Sequence, residues 1–551
     1  MPEARAATVR SEPNPLLVRE LQQSLRVPRL PWLIAASVAV VGLSILSFGS
    51  LEWASARSAK IGAGLYQALT WLIVLYTVVV GPSTAAGSIT SEREGKTLEP
   101  LLLTALTPSD ITRGKFLAAY GTLGLQVVAL LPLAAIPMIF GGVSASELVV
   151  TWIYLAAIAA NSVGFGLVIA SRAQNARNAV MVSSVLPALG SFFFFSLATA
   201  AGEIARERWP FLNGGPLWWT GAYATVPFDL DYVLFLILWP LALLGLPLWI
   251  FLASTTSNLR SANDDRSSGA KRWMVFAALV FATLVFLTCF RVPTRTAPAI
   301  GVAAIIFGSL SAFILLPMLV SEPLTASRRV RARWDAERRG PFARFFGAGL
   351  WSGATVHLVS LAIVLGASMA GASLGSVTTG LRSHLGVAST SGSETGVSGA
   401  FLVLIVFVAL FFVFVVGLAC YLRARAPSEA GVLRAGAWTI AITVMATVLP
   451  GVAAAIVAAF GGHDGNAWQL AAAPSPAFAL YACGQEMSSA IDAGRTTTIA
   501  FSAAFAWGVL GITLMALAWD RARRTLSSHA RAAAKTDEKL RLEDEEGDDD
   551  E

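Results

Sequence analysis

The chain has 551 residues, 55% hydrophobic and only 13% charged, with a mean hydropathy of +0.66 and a formal net charge of +6. Soluble domains carry about a quarter charged residues, so a soluble globular protein is excluded. Apolar runs of about 18 residues or more recur instead, long enough to cross hydrocarbon as helices whose backbone groups are satisfied internally. The expectation is an all-α, polytopic membrane protein.

Residues 1–12 are polar and predicted to be disordered. From Asn14 and Pro15 to Arg29 the pattern is that of an amphipathic helix. Leu17, Leu21 and Leu25 recur every fourth position, with Arg19, Glu20 and Arg26 elsewhere. Such a helix lies along the inner leaflet, and no cleavable signal precedes it. Twelve spans are predicted, at 31–50, 64–81, 115–140, 147–170, 179–201, 231–253, 273–290, 298–320, 350–371, 399–422, 437–460 and 498–519. Pro132 and Pro137 bend the third, Pro240 and Pro247 the sixth; membrane helices tolerate this where neighbours take up the freed carbonyls. The chain thus divides into an arm (1–30), a first six-helix half (31–253), a linker (254–272), a second six-helix half (273–519) and a tail (520–551). The tail ends in an acidic run from Glu543 and is predicted to be disordered.

An even number of spans puts both termini on one side. With that side cytoplasmic, 32 of the 40 Lys and Arg residues fall in inner segments, which is the expected bias. Outer stretches 203–231 and 463–497 carry tryptophans and prolines and suit headgroup depth, while the outer loop 372–398 is Gly/Ser/Thr-rich and flexible.

The most informative stretch runs from Pro82 to Lys115. It packs Glu92, Arg93, Glu94, Lys96 and Glu99 into eight positions, follows with Leu101, Leu102 and Leu103, and then offers Thr107-Pro108-Ser109-Asp110 as a helix stop and a fresh N-cap. Read as one helix from Ser88 to Leu103, it has a charged flank and a leucine flank. It would lie on the membrane and present itself to a soluble partner. Gly95-Lys96-Thr97 imitates the end of a phosphate-binding loop, but Thr90 stands where glycine is required and a membrane helix precedes it, so nucleotide binding is rejected.

This stretch resembles the first cytoplasmic loop of ABC transporter permeases of the type-2 exporter class. Their coupling helix is matched in order by Ser91, Glu92, Arg93, Glu94, Gly95, Thr97, Leu98, Glu99, Leu101 and Leu102, with Gly114 and Lys115 opening the next span. Asn14, Pro15, Arg19 and Glu20 likewise resemble the elbow helix that opens such permeases. The resemblance is firm over 14–253 and loose afterwards. It implies a non-catalytic membrane subunit of the inner membrane, served by separate ABC ATPase subunits that bind ATP and Mg. Glu92, Arg93, Glu94 and Glu99 would pair with the ATPase, Leu101 to Leu103 would seat the helix against the membrane face, and Lys115 would sit at the headgroups. The loop 321–349 occupies the same slot in the second half. It keeps Glu322 and several arginines, and reads either as a degenerate second coupling region or as a basic loop pinned to anionic lipid.

No span carries Asp, Glu, Lys or Arg near its middle; His357, near the start of the ninth, is the one ionisable candidate. Intramembrane acids mark ion-coupled pumps, so a secondary transporter is the weaker alternative, beside a non-transporting scaffold working through its tail. Gln67, Gln126 and Asn161 read as helix–helix hydrogen bonders. Cys289, Cys420 and Cys483 show neither pairing nor metal spacing. No metal and no nucleic-acid partner are expected. Whether one chain or two permease chains form the pathway stays open, as does the substrate.

Overall fold

The computed structural model describes residues 15–26, scattered positions between 32 and 43, and 58–548 with short gaps, the longest being 378–394. The polar arm 1–12, Asn14, most of the first predicted span and most of the 372–398 loop lie outside the described residues. Among those described, every regular element is a helix. The chain divides into two compact units, 1–266 and 267–551, the boundary falling inside the 254–272 segment.

Unit 1 comprises α1 (Pro15–Arg26), α2 (Ser58–Glu94), α3 (Leu98–Leu102), α4 (Pro108–Ala129), α5 (Leu131–Phe140), α6 (Ala145–Arg172), α7 (Ala176–Arg208), α8 (Trp218–Thr225) and α9 (Leu230–Asn258). Helices α2, α6 and α9 are long and apolar enough to cross a membrane, and α4 with α5 makes a further candidate, bent by 44°. The bend falls where Pro132 and Pro137 withhold backbone donors. Helix α7 covers the predicted fifth span.

The predicted second span and the loop after it need correction. Helix α2 runs through Pro82 to Glu94, so the loop's first third is helix, and Ser88 to Leu103 is not one helix. At about 1.5 Å per residue its 37 residues are about 55 Å long, well beyond about 30 Å of hydrocarbon. At Pro82 helix α6 packs close against α2: a methyl at Gly166 would collide with the Pro82 carbonyl. What ends α2 is a Schellman turn. The Thr97 N–H donates to Glu92 O (2.8 Å) and the Lys96 N–H to Arg93 O (3.1 Å), with Lys96 left-handed at φ 56°. Helix α4 opens as the sequence predicts, on a capping box in which Thr107 and Asp110 bond each other's backbone N–H.

In α9, residues Val233–Leu238 wind as a π turn just before Pro240. Proline cannot donate to the carbonyl four residues back, which is that of Leu236; the Tyr223 hydroxyl of α8 donates to it instead. Tyr223→Phe is expected to leave that carbonyl unpaired and lower stability by about 1–3 kcal/mol, read as a drop in thermal unfolding temperature.

Unit 2 comprises α10 (Ser268–Arg291), α11 (Ala297–Val320), α12 (Arg328–Ala336), α13 (Pro341–Phe345), α14 (Leu350–Val377), α15 (Thr395–Ala424), α16 (Glu429–Phe460), α17 (Ala467–Ala472), α18 (Pro476–Met487) and α19 (Ala493–Asp548). Six of these, α10, α11, α14, α15, α16 and α19, contain candidate spans. Helix α15 is the hub, burying Phe401, Phe407, Val415 and Ala419. It meets α19 so closely at Gly417 and Gly511 that a Cβ on either would strike the other's backbone. The tail differs from its prediction: α19 continues to Asp548, because Ala, Lys, Glu and Arg between 530 and 546 are strong helix formers.

The described residues thus hold nine helices long and apolar enough to cross a membrane, ten with the bent pair. Their lengths and compositions are those of a membrane protein.

Candidate functional site

The residues singled out by sequence converge where α1, α2, α3 and α4 meet. The floor of this junction is apolar: Leu16 of α1, Ala85 and Ile89 of α2, Leu98 of α3 and Ile111 of α4 pack into one buried cluster. Burial fixes the register of the charges above it. One helical turn beyond Ile111, Lys115 points into the junction with a side chain 0% exposed. Its ammonium donates to Glu20 Oε1 of α1 (3.0 Å) and to the Ser88 carbonyl (3.0 Å), and lies 3.1 Å from Glu92 Oε1. Three acceptors match its three donors. Arg19 approaches Glu92 from the surface at 4.0 Å. Glu92 Oε2 is buried and has no hydrogen-bond partner among the described residues.

Arg93 and Glu94 grip the α6–α7 corner. Arg93 donates to the carbonyls of Ala173 and Ser171 at the end of α6, and Glu94 Oε1 accepts the Ala176 N–H, 2.7 Å away, at the start of α7. A cation on a helix C-terminus and an anion on an N-terminus are both favoured by the backbone dipoles.

Three expectations therefore change. Glu92 and Arg93, read as contacts for a partner, are turned into the chain itself, while Glu94 stays exposed although it accepts the Ala176 N–H. Lys115, read as a headgroup residue, is buried, as is Gly114 beside it. Of Leu101 to Leu103, read as seating the helix, only Leu101 is partly buried, whereas Leu102 is 37% and Leu103 87% exposed; the buried anchor is Leu98. The outward face consists of Glu94, Gly95, Lys96, Thr97, Glu99, Pro100, Leu102 and Leu103, a short ledge with one freely exposed apolar tip, Leu103. Sequence reasoning missed the tie between Glu20 and Lys115, 95 residues apart. Its one signal was an acid–base balance between the two segments.

The ledge is stiff at both ends, by the Schellman turn before it and the capping box after it. Lys96 is the weak point, since a β-carbon in the left-handed region costs about 1–2 kcal/mol. Lys96→Gly is expected to hold or raise the unfolding temperature, and Lys96→Val to lower it.

Other polar groups within the helices serve packing. Gln126 Oε1 accepts from the Tyr76 hydroxyl (2.9 Å), Asn161 donates to the Leu244 carbonyl (2.9 Å), and His357 bonds the carbonyls of Gly353 and Leu315 within unit 2. The three cysteines are buried and none is in a disulfide. Among the described residues no group of His, Cys, Asp and Glu is placed to hold a metal ion.

No protein-family model matches this chain, and no curated protein matches it.

Proposed function

We propose that this chain is the membrane-spanning permease subunit of an ATP-driven exporter of the ABC type-2 class, with twelve spans and both termini cytoplasmic in the inner membrane. It hydrolyses nothing itself; ATP and Mg belong to separate ATPase subunits. The observation that carries this reading is the ledge at 95–103. A short helix with a leucine tip 87% exposed stands between two stiff joints, on the side where the chain's cations concentrate.

Force applied to Leu102 and Leu103 passes two ways. Through the Schellman turn it enters α2, a continuous rod about 55 Å long, and through Thr107 it enters α4. The Glu20–Lys115–Glu92 cluster ties the elbow helix to both, so the three elements move together as a rigid body when the ATPase closes on ATP. The apolar spans, free of mid-membrane Asp, Glu, Lys and Arg, suit a pathway driven in this way rather than by an ion gradient.

The test is purification of the chain from its native membrane in mild detergent, with subunits identified by mass spectrometry and ATP hydrolysis measured in nanodiscs. A stoichiometric ATP-hydrolysing subunit is expected. A chain that isolates alone and moves substrate down an imposed ion gradient overturns the reading.

A further inference from the structure

Helices α10, α11, α14 and α15 of unit 2 contain no Asp or Glu. The carboxylate brought to the place where α10 and α14 begin is Glu322, just past the end of α11. It lies 3.1 Å from the Lys271 ammonium of α10 and accepts the Gly349 N–H (3.1 Å). Lys271 donates also to the carbonyls of Gly347 (2.8 Å) and Gly349 (3.2 Å), and Arg423 of α15 donates to the Glu322 carbonyl (2.8 Å). Gly353 of α14 makes room for the pair. A β-carbon there would stand 3.3 Å from Glu322 Cγ and 3.7 Å from Lys271 Cε.

One turn further along α14 is His357, 7% exposed. Its Nδ1 lies 2.8 Å from the Gly353 carbonyl. Its Nε2 lies 3.3 Å from the Leu315 carbonyl, at the break between the 297–314 and 316–320 segments of α11. A neutral imidazole offers one N–H and one lone pair, yet both neighbours here are acceptors. The shorter contact takes the N–H, since 3.3 Å is outside the usual N–H···O range. Nδ1 therefore donates to Gly353, and the Nε2 lone pair is turned on the Leu315 oxygen. A proton at Nε2 would replace that repulsion by a second hydrogen bond between α14 and α11. It would also set a buried cation near Lys271, whose charge reaches the ring, and Glu322 is already engaged by Lys271. A buried cation without its own counterion is costly. His357 is thus a base with an acceptor waiting for its proton and a like charge standing in the way.

We propose that His357 Nε2 is a proton-binding site under the control of Lys271, empty while that lysine is held beside it and filled when α10 withdraws it. Linkage makes the control reciprocal: a proton bound at His357 repels Lys271 and loosens the contact of α10 with α14. Unit 2 then carries an acid-responsive joint of its own, in which the imidazole takes the proton, Lys271 and Glu322 set its affinity, and Arg423 holds Glu322 in place. This inference does not depend on the exporter reading, because every group in it belongs to unit 2.

The test is an NMR titration of the full chain in nanodiscs, its histidine rings labelled with carbon-13 and nitrogen-15. The His357 signals are identified by their loss in His357→Gln. In the parent chain the ring is expected to be neutral at pH 7, with its proton on Nδ1. Lys271→Met with Glu322→Met removes the pair as a unit, which a buried ion pair tolerates. It is expected to raise the proton affinity of His357 about tenfold, one pH unit, with the other three histidines unmoved. Glu322→Gln keeps the lysine and removes its counterion, and is expected to shift the His357 titration the opposite way, to lower pH. A parent ring already protonated at pH 7, or one with its proton on Nε2, overturns the proposal. So does a His357 titration that is the same in the parent chain and both variants, which would leave the residue a packing group alone.

Discussion

Lys115→Met is expected to destabilise unit 1 by about 3–5 kcal/mol, because it strands two carboxylates in a junction built around one ammonium. Glu92 suffers most: with a side chain 9% exposed and one oxygen already unpartnered, its remaining strong contact is removed. Glu20, at 18% exposed, can turn toward water. The expected order of damage is therefore Lys115→Met, then Glu92→Gln, then Glu20→Gln. Replacing the cluster whole, by Lys115→Met with Glu92→Met and Glu20→Leu, is expected to recover most of the loss, since a matched apolar set carries no desolvation cost. Thermal unfolding in detergent gives the order, and limited proteolysis after Arg26 reports whether α1 has left α4. Losses that simply add in the triple replacement, with no recovery, would show that the charges act independently, and the rigid tie between elbow and ledge would then fail.

The same cluster shows what could be read from the residues. The long apolar segments were legible from composition, since hydrocarbon permits little besides helices. The Thr107–Asp110 cap was legible because a capping box is local chemistry at fixed spacing. The predicted second span ends at 81, whereas α2 continues through Pro82 to Glu94, because the apolar stretch that marks a span in the sequence stops before the helix does. The Schellman turn was hidden because it placed lysine where glycine is usual. Glu92, Arg93 and Glu94 looked like a surface cluster because adjacency in sequence says nothing about which way each side chain turns at a helix end. One faces a buried lysine and two face the α6–α7 corner, and both destinations are tertiary. The acidic tail was misread for the opposite reason: net charge argued for disorder, while local propensity, which is strong from 530 to 546, favours helix.

With Glu92 and Arg93 turned inward, the most exposed apolar group of the ledge is Leu103, and Leu103→Asp is expected to abolish substrate-stimulated ATP hydrolysis while membrane insertion and unfolding temperature stay unchanged. Leu103 contributes almost nothing to the fold at 87% exposed, so its loss does not perturb α3, which Leu98 and Leu101 still anchor. An apolar tip seated in a partner's groove behaves as an interface hot spot, worth about 2–4 kcal/mol, or roughly 30- to 1,000-fold in affinity. Glu92→Lys gives the contrasting phenotype, in which activity is lost because the junction no longer folds and the unfolding temperature falls with it. Glu99→Lys, on the exposed rim, is expected to weaken association modestly and in a salt-dependent way. Measuring ATPase binding and unfolding temperature on all three variants distinguishes a docking ledge from a merely solvated turn. A solvated turn would leave hydrolysis unchanged in the Leu103→Asp variant, since the fold does not depend on that side chain.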